Sequence, residues 1–290
     1  MLKVLITGKN GQLGSTFQEL SFSVQDIEFI FKDSKELDIT VLEQIEVVLR
    51  QEQPDVVINC AAYTAVDRAE EEPEKVDLVN HIGVYNLAKN CKDLDIGLIH
   101  ISTDYVFDGE KGTSYEVDDA TNPINVYGKT KLAGELAMQK INPKGCIIRT
   151  SWVYSKYGNN FVKTILRLGH EKDEINVVAD QYGSPTYATD LANACISFMK
   201  DFKNWTGETE VYHYSNEGVI SWYDFAVEIM KQADLKCNVI PVSSIEFRTI
   251  ARRPTYSAMN SHGTTEVLKI KLIPFEESLK SAIVNLLNEY

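Results

Sequence analysis

Short apolar runs alternate with longer amphipathic stretches along the first half of the chain, and this alternation predicts its secondary structure. Strands are predicted at Lys3–Gly8, Ile27–Phe31, Asp55–Cys60, Gly97–Ser102 and Gly145–Thr150. The run DVVINC at Asp55–Cys60 is solidly apolar rather than alternating, which is typical of a parallel strand covered on both faces. The sheet is therefore expected to be buried between layers of helices.

Helices are predicted between these strands. They are expected at Gly11–Leu20, at Thr40–Glu52 with Thr40 as its cap, at Val76–Leu94 after Pro73, and at Tyr127–Lys140. A β-α-β-α order implies parallel strands joined by right-handed crossovers. The predicted fold class is thus α/β, a doubly wound, Rossmann-like parallel sheet with a smaller C-terminal substrate-binding lobe.

The second half of the chain is less regular. Helices are predicted at Asn160–Leu168, Asp190–Met199 and Phe275–Asn288, a strand at Val211–Ser215, and a capping box at Ser221 and Asp224. There are no repeats, low-complexity tracts or obvious linkers. We expect residues 1–150 to bind a dinucleotide and residues 151–290 to form mainly a substrate-binding lobe, with the chain able to cross back to the sheet.

Composition narrows the classes of partner. The 290 residues are 44% hydrophobic, which is enough for a large core, and the net charge of −13 disfavours nucleic acid or an anionic membrane as partner. The longest apolar runs are too short to span a bilayer, and the N-terminus lacks the features of a signal peptide, so we expect a cytoplasmic protein. Five scattered cysteines are expected to be free thiols, and five histidines without ligand spacing predict no structural zinc.

A glycine-rich turn follows the first predicted strand. The segment GKNGQLG places Gly8, Gly11 and Gly14 between a strand and a helix, with the spacing GxxGxxG rather than GxGxxG. Glycine permits the tight turn, the approach of backbone to a pyrophosphate, and the close packing of helix on strand. The turn predicts a dinucleotide site, the alternative being an ordinary glycine-rich turn.

Two residues after the second predicted strand bear on the cofactor. Asp33 follows Gly14 by about 20 residues, the spacing at which a carboxylate accepts hydrogen bonds from the adenosine ribose of NADH. Lys32, beside it, can instead meet the 2′-phosphate of NADPH. Asp33 can also be an ordinary solvated loop carboxylate, so NADPH and NADH both remain open and at most a modest preference is expected.

The segment NVYGKTKLAGE carries the strongest chemical signal. Tyr127 and Lys131 are one helical turn apart and share a face of the predicted helix. A free tyrosine has a pKa of about 10, which a nearby ammonium or the positive ring of an oxidised nicotinamide lowers. Tyr127 is thus a candidate general acid toward a carbonyl oxygen, and Lys131 can also hold the nicotinamide ribose. The alternative is a pair of surface residues on an amphipathic helix.

Other candidates follow the third, fourth and fifth predicted strands. Thr103 and Asp104 end the fourth strand, where a doubly wound sheet presents ligand-facing groups, although they can equally cap a turn. Ala61 and Ala62 are small enough for backbone to lie against a cofactor, or simply to pack closely. Trp152 can stack on a sugar or base, or belong to the core.

The second half offers a basic pair and a polar turn. Arg252 and Arg253 can grip a diphosphate bidentately, or form a surface pair. Gln181 precedes a Gly183–Pro185 turn and can border a sugar pocket, or belong to the turn.

Together these motifs resemble the extended short-chain dehydrogenase/reductase superfamily and, within it, the dTDP-4-dehydrorhamnose reductase family. The resemblance runs from residue 8 to residue 260 through GKNGQLG, ELDIT, NCAAYTAVDRAEEEP, STDYVFDG, NPINVYGKTKLAGE, RTSWVY, DQYGSPTYATDLA and RRPTYSAMN. It implies that NAD(P)H reduces the 4-keto group of dTDP-4-dehydro-β-L-rhamnose to give dTDP-β-L-rhamnose.

The resemblance also implies roles for individual residues. Tyr127 would be the proton donor, Lys131 its partner and Thr103 the tuning hydroxyl. The cofactor would contact Gly11, Gln12 and Leu13 at its pyrophosphate, Asp38 and Ile39 near its adenine, and Ala61, Ala62 and Tyr63 along its length. The dTDP-sugar would contact Thr103, Asp104 and Trp152.

Some members of the family join subunits through a divalent cation. The acidic run Glu70–Glu72 and the terminal Glu289 offer carboxylates, but no dedicated metal cluster is evident, and acidic runs are usually solvated. A structural Mg²⁺ and the choice between monomer and homodimer therefore stay open.

Three other functions fit the same motifs. One is reduction of a related 4-keto sugar nucleotide, and another is an epimerase or dehydratase of the same superfamily. The third, from a different class, is a non-catalytic NADP-binding subunit such as the regulatory partner of methionine adenosyltransferase. The intact set of Thr103, Tyr127 and Lys131 favours an enzyme.

Overall fold

The computed structural model describes residues 1–200, 205 and 208–287. Its strands are, in chain order, β1 (Leu2–Thr7), β2 (Ile27–Lys32), β3 (Val56–Asn59), β4 (Gly97–Thr103), β5 (Gly145–Thr150), β6 (Val153–Tyr154), β7 (Glu174–Val178), β8 (Tyr182–Gly183), β9 (Thr186–Tyr187), β10 (Thr209–His213), β11 (Ile220–Ser221) and β12 (Asn238–Val242). Its α-helices are α1 (Gln12–Ser21), α2 (Leu42–Glu52), α3 (Val66–Ala69), α4 (Pro73–Asp77), α5 (Gly83–Asp93), α6 (Val126–Ile141), α7 (Phe161–Glu171), α8 (Ala188–Lys200), α9 (Trp222–Gln232), α10 (His262–Leu268) and α11 (Phe275–Leu287).

Six strands form one central sheet in the order β2-β1-β3-β4-β5-β10. Every pairing in it is parallel. All six carboxyl ends therefore lie at one edge, and the order of strands reverses direction between β1 and β3, the place where such sheets bind ligands. The predicted doubly wound α/β fold is confirmed.

Both faces of the sheet are covered, as the apolar strands require. Val4 and Ile6 of β1 point to one core with Phe17 of α1 and Leu191 of α8. Leu5, between them, points to the opposite core, which is shared with α2, α5 and α6. Burial on both faces is why these strands lack alternation.

The predicted elements are present, with three differences in detail. Helix α2 begins at Leu42 with Val41 as its cap, so the prediction of a Thr40 cap is wrong. The Thr40 hydroxyl instead donates to Asp38 Oδ1, at 2.8 Å, in the turn before the helix. The predicted Val76–Leu94 helix contains a π-helical turn at Leu78–Ile82. Strand β10 ends at His213, two residues before the predicted end.

The second half contributes to the sheet and also builds a separate core. Helix α8 packs on α1, and β10 extends the sheet beyond β5. The remaining core lies among β7, β12, α7, α9 and α11. Ser221 caps α9 by accepting from the Asp224 amide, and α11 is described to Leu287, so the predicted end at Asn288 lies outside the described residues. The division near residue 150 into two functional parts stays a prediction.

Two glycines let α6 approach its neighbours closely. A Cβ on Gly128 would lie 2.1 Å from the Tyr105 carbonyl oxygen, and one on Gly134 would lie 2.2 Å from the Asn80 carbonyl oxygen. Real side chains do not tolerate such contacts with backbone, so both positions require glycine. The helix that carries Tyr127 and Lys131 is thereby held against the end of β4 and against the π-helical turn.

We expect Gly128→Ala to lower the free energy of unfolding by about 2 to 3 kcal/mol, because the backbone of Tyr105 cannot move away cheaply. Gly263→Ala is the matched control, since a Cβ there meets nothing within 4 Å and lies in α10. It should be neutral or stabilising by up to about 1 kcal/mol. Urea unfolding of both variants measures the difference, and equal stabilities would contradict the packing argument.

Candidate active site

The carboxyl edge of the sheet brings the predicted site residues together. Thr7 at the end of β1 pairs in register with Asn59 of β3, which pairs with His100 of β4. Thr103 at the end of β4 pairs with Thr150 of β5. The glycine-rich turn, the 60–63 segment, Thr103 and Trp152 thus all follow strands that end at this edge.

The glycine-rich turn is shaped as a phosphate cradle. Gly8 has φ +66°, and a Cβ there would lie 2.8 Å from the Ala61 amide nitrogen. A Cβ on Gly14 would lie 2.3 Å from the Gly8 carbonyl oxygen, so the turn folds tightly onto the first turn of α1. Gly11 occupies the helix cap and no side chain caps α1, which leaves its first N–H groups for a ligand. This cradle fits a dinucleotide pyrophosphate.

Gln12 and Leu13 can meet such a ligand only through their backbone. The Gln12 side chain ties α1 to the second half of the chain, donating to the Val153 carbonyl oxygen (3.2 Å) and accepting from Ser155 (3.0 Å) and Asn160 (2.9 Å). The Leu13 side chain is buried in the core beneath the sheet.

The cation near Asp33 is Lys9 rather than the predicted Lys32. The Lys32 ammonium pairs with Glu52, the last residue of α2, at 2.7 Å. Lys9 Nζ lies 2.6 Å from Glu36 Oε2 and 3.8 Å from Asp33 Oδ2. The hydrogen bond to Glu36 is the main cause that raises the Lys9 pKa, while backbone N–H groups lower the pKa of Asp33. Lys9 was not among the predicted site residues, because it lies inside the glycine-rich turn, where only backbone was expected to contact the cofactor.

We expect Lys9→Met to weaken the binding of NADP⁺ about tenfold relative to NAD⁺, because the loss of one charge-assisted contact to a phosphate is of that order. Lys32→Met is the matched control and should leave the ratio of the two dissociation constants unchanged. Isothermal titration with both dinucleotides measures this ratio, and a larger effect at Lys32 than at Lys9 would restore the sequence-based expectation.

Asp38 and Ile39 shape the turn before α2. Asp38 Oδ1 accepts from the Thr40 amide at 2.9 Å as well as from its hydroxyl. The Ile39 side chain is buried, and a Cβ on Gly83 would lie 2.8 Å from it. A cofactor could therefore touch Ile39 only through its backbone.

The segment after β3 is held in place by Asn80 from the π-helical turn. Asn80 Oδ1 accepts from the Tyr63 amide (2.8 Å), and its Nδ2 donates to the Tyr63 carbonyl oxygen (3.0 Å). The Tyr63 hydroxyl donates to Glu72 Oε2 at 3.0 Å. Ala61 and Ala62, both partly exposed, line the sheet edge beside this tyrosine. No pattern in the sequence predicted that Asn80 would hold the backbone of Tyr63.

Tyr127 and Thr103 lie together at the end of β4. Thr103 is buried, and its side chain interacts with the Tyr127 hydroxyl. The Tyr127 ring packs edge-on against Tyr105, with 5.8 Å between the ring centroids. Burial raises the pKa of Tyr127 to about 12, and the contact with Thr103 opposes this rise. The expectation of a lowered pKa is therefore wrong for the protein alone, and the phenol is held in its acid form.

Lys131, one turn along α6 from Tyr127, faces inward. Its side chain is 1% exposed, and Nζ donates to the Ile101 carbonyl oxygen at 2.6 Å. Nζ also lies 3.3 Å from His100 Nε2. Burial lowers the pKa of Lys131 to about 8, so both of its protonation states are accessible near neutrality. The Lys131 ammonium, which was expected to lower the pKa of Tyr127, thus donates to the backbone of β4 instead.

Asp104 presents an unusual carboxyl group. Its Oδ1 accepts from the Thr103 hydroxyl at 3.0 Å, whereas its buried Oδ2 has no hydrogen-bond partner among the described residues. Burial raises the pKa of Asp104 to about 7, although interactions with the Ser257 and Thr103 side chains oppose this rise. A buried, unpaired oxygen is costly, which suits a group that completes its hydrogen bonding with a ligand.

Asn125 and Glu70, which were not among the predicted site residues, position the helix that carries Tyr127 and Lys131. Asn125 caps α6 by accepting from the Gly128 amide at 2.7 Å, and its Nδ2 donates to the Arg252 carbonyl oxygen at 2.8 Å. Glu70 accepts from the Val126 amide at 2.8 Å. The Asn cap was recognisable in NPINVYG, but the Glu70 contact depends on the tertiary fold.

Trp152 is half of an aromatic pair. Its backbone has φ +47°, in the left-handed region, and its indole stacks on Trp222 at 3.5 Å and 9°. A Cβ on Gly183 would lie 2.6 Å from the Trp152 ring, so Gly183 makes room for its edge. Gln181 is buried beside this pair, and its carbonyl oxygen accepts from the Trp222 amide at 3.3 Å. No pattern in the sequence predicted that Trp222 would stack on Trp152.

The two arginines have different surroundings. Arg253 NH1 and NH2 bind the Asp67 carboxylate at 3.1 and 2.7 Å, which corrects the expectation of a free diphosphate clamp. Arg253 also interacts with Tyr105. The Arg252 side chain is exposed.

The described residues contain no group of three or more histidine, cysteine or acidic side chains able to hold a metal ion. Glu70 and Glu72 are used in hydrogen bonds to backbone and neighbouring side chains, and Glu289 lies outside the described residues. Mg²⁺ therefore has no support in the structure.

Four cysteines are buried and Cys60 is partly buried, all as free thiols. Within the described part of the chain, no helix is both long and apolar enough to cross a membrane.

Known proteins resemble the chain over almost all of its length. A family model described as the RmlD substrate binding domain matches residues 2–288. The dTDP-4-dehydrorhamnose reductase of Aggregatibacter actinomycetemcomitans is 39% identical over 290 residues, covering 97% of this chain and 98% of that protein. The spore coat polysaccharide biosynthesis protein SpsK of Bacillus subtilis is 40% identical and covers 97% of this chain and 96% of its own.

Solved structures agree with the sequence relatives. The dTDP-4-dehydrorhamnose reductase of Bacillus anthracis, in complex with NADP, superimposes with a TM-score of 0.91 at 41% identity, covering 98% of this chain and 100% of that one. A UDP-glucose 4-epimerase of Thermus thermophilus with NAD has a TM-score of 0.82 at 18% identity, and this likeness shows the fold alone. The chain belongs to the dTDP-4-dehydrorhamnose reductase family.

Proposed function

We propose that the protein reduces the 4-keto group of dTDP-4-dehydro-β-L-rhamnose with NAD(P)H to give dTDP-β-L-rhamnose. The observation that carries the proposal is the contact between Thr103 and Tyr127 at the carboxyl edge of the sheet. Lys131, one helical turn from Tyr127, is held there by the Ile101 carbonyl oxygen of β4. The uncapped N-terminus of α1 lies at the same edge. Relatives of nearly equal length that carry this activity support the assignment.

The division of labour follows from the surroundings of each side chain. When bound, the nicotinamide cofactor supplies hydride to the carbonyl carbon. Tyr127, a phenol at neutral pH, donates a proton to the carbonyl oxygen. Thr103 orients the Tyr127 hydroxyl. Its single hydroxyl hydrogen points to Asp104 Oδ1 and would have to turn from that carboxylate to reach the same oxygen. Lys131 provides a positive charge beneath the site, which stabilises the phenolate that is left behind.

The remaining candidates bind rather than react. Asp104 Oδ2, which lacks a partner, would accept from or donate to a sugar hydroxyl. The partly exposed Trp152, backed by Trp222, would pack against the sugar or the base. Gln181 would border this platform, and Arg252, which is exposed, would meet the diphosphate.

The choice of cofactor rests on Lys9, Asp33 and Glu36. Asp33 can bind a ribose diol, and Lys9 can turn from Glu36 toward a 2′-phosphate, so we propose that both NADH and NADPH are accepted.

We further propose that the protein is cytoplasmic and is either a monomer or a homodimer. Its partner is the dTDP-sugar, and it binds neither nucleic acid nor a membrane.

The test is NAD(P)H oxidation with dTDP-4-dehydro-β-L-rhamnose and identification of the product by mass and NMR. The expected result is one cofactor oxidised per dTDP-rhamnose formed. A product formed without net oxidation would identify an epimerase or dehydratase. Tight binding of NADPH with no turnover on any 4-keto sugar nucleotide would identify a regulatory subunit, and either outcome overturns the proposal.

A further inference from the structure

A buried chain of hydrogen bonds runs from the glycine-rich turn to Lys131. The Thr7 hydroxyl donates to Asn59 Oδ1 at 2.7 Å. Asn59 Nδ2 lies 3.1 Å from His100 Nδ1, and His100 Nε2 lies 3.3 Å from Lys131 Nζ. Three adjacent strands supply Thr7, Asn59 and His100 at matching registers, and α6 supplies Lys131. His100 is fully buried, and the reaction described above does not use it.

The orientation of the Asn59 amide follows from its neighbours. The Ala61 amide N–H points at Asn59 Oδ1 from 3.2 Å and at Thr7 Oγ1 from 3.3 Å. If the Asn59 amide were rotated, its NH₂ group would face the Ala61 N–H, and two donors would meet. Asn59 therefore presents its oxygen to β1 and its NH₂ group to His100.

This orientation determines which ring nitrogen of His100 carries the proton. Nδ1 accepts from the Asn59 NH₂ group, so it has no hydrogen of its own. Burial and the nearby Lys131 lower the pKa of His100 well below its ordinary value, so the ring is neutral. A neutral imidazole with an accepting Nδ1 carries its hydrogen on Nε2. That N–H points at Lys131 Nζ.

The contact between His100 and Lys131 therefore discriminates between the two forms of the lysine. An ammonium has three donors and no lone pair, so it cannot accept from the His100 Nε2–H. A neutral amine can accept from it while donating to the Ile101 carbonyl oxygen, 2.6 Å away. We propose that His100 is a positioning residue that presents its Nε2–H to Lys131 and thereby sets the pH at which Lys131 loses its positive charge, an inference that rests on the role of Lys131 in the proposed reaction.

Burial is the main cause that lowers the pKa of Lys131, whereas its charged neighbours act in the opposite direction. Glu135, one turn further along α6, favours the ammonium, but its carboxylate binds Arg149 NH2 at 2.8 Å. Cys60, which follows β3, is a neutral thiol because burial raises its pKa well above the ordinary value. Tyr127 is a neutral phenol. The Nε2–H of His100 is thus the polar neighbour that, together with burial, disfavours the ammonium form of Lys131.

The first experiment reads the tautomer in the unmodified protein. Long-range ¹H–¹⁵N correlation spectra of histidine-labelled protein distinguish Nδ1–H, Nε2–H and doubly protonated rings, and comparison with His100→Gln assigns the signal. We expect a neutral Nε2–H ring from about pH 6 to about pH 9. An Nδ1–H tautomer, or a ring that becomes charged in this range, overturns the proposal.

The second experiment measures the pKa of Lys131 itself. ¹³C spectra of lysine-labelled protein give this value without turnover, with Lys131→Met assigning the signal. His100→Leu removes the donor and should raise the pKa of Lys131 by about one unit, whereas His100→Gln can keep an N–H directed at Nζ and should leave it near the wild-type value. The alkaline limb of kcat/KM should move by the same amount.

The outcomes separate the two proposals. If neither variant moves the pKa of Lys131, or if both move it equally, the role of His100 is overturned. Should His100→Leu fail to fold, the tautomer in the unmodified protein still decides. If both spectroscopic results are as expected but no 4-keto sugar is reduced, the proposed function falls while the inference about His100 stands.

Discussion

Tyr127→Phe should lower kcat by about a hundredfold or more, because the variant keeps the ring but loses the proton donor. The ring packs against Tyr105, and phenylalanine preserves that contact. Binding of the dinucleotide should change little, since the phosphate cradle lies on β1 and α1. Steady-state kinetics and the dissociation constant of NADP⁺, measured separately, distinguish loss of chemistry from loss of binding.

The control for this experiment is Tyr85→Phe, which removes a hydroxyl from an exposed tyrosine of α5. It should leave kcat and binding unchanged. Because burial raises the pKa of Tyr127 to about 12, the phenol stays protonated across the working range, and the alkaline limb of the wild-type enzyme should lie near the pKa of Lys131 instead. Normal turnover in Tyr127→Phe would contradict the assignment of the proton donor.

The sequence was sufficient for those parts of the fold and site that depend on local pattern. The buried parallel strands were readable because both faces are covered, so their apolar runs are unbroken. The spacing of Tyr127 and Lys131 placed both on one helical face, and the glycine spacing located the turn at Gly8. These features depend on neighbours in the sequence.

The parts that were missed depend on residues distant in the sequence. Lys32 stands next to Asp33 in the chain, yet successive side chains on a strand point to opposite faces, so it reached Glu52 while Lys9 reached Asp33. Arg253 is paired with Asp67, which precedes it by most of the chain length. The stack of Trp222 on Trp152 likewise joins the second lobe to the end of β5.

The electrostatics of Lys131 were misjudged for a related reason. Helical spacing puts its ammonium near Tyr127, but it cannot reveal that β4 supplies a carbonyl acceptor and an imidazole beneath the helix. Burial then lowers the pKa of Lys131 instead of letting a free ammonium lower that of Tyr127. The charge that Lys131 needs for catalysis should therefore lower the stability of the fold.

Lys131→Met tests that conflict and should lower kcat/KM by about a hundredfold or more, since the charge beside Tyr127 is lost. At the same time it should stabilise the protein at neutral pH. The pKa of Lys131 is about 8 in the folded state, against about 10.4 in an unfolded chain. The unfolded state therefore binds a proton more readily, and the charged lysine opposes folding below pH 8.

The expected gain has a definite size and pH dependence. The shift corresponds to about 3 kcal/mol of opposition to folding at pH 7, and loss of the hydrogen bond to Ile101 offsets about 1 kcal/mol of that, leaving a net gain of about 2 kcal/mol. The advantage of the variant should shrink as pH rises from 8. Above about pH 10.4 it should become a deficit of about 1 kcal/mol, because the unfolded lysine is also neutral there and only the lost hydrogen bond counts.

Lys129→Met is the matched control, because Lys129 is exposed on the other side of the same helix. It should change neither the kinetics nor the pH dependence of stability. Urea unfolding of both variants at several pH values supplies the comparison. A Lys131→Met protein that is less stable than wild type at every pH would mean that the buried ammonium stabilises the fold, and the conflict between stability and catalysis at this residue would have to be abandoned.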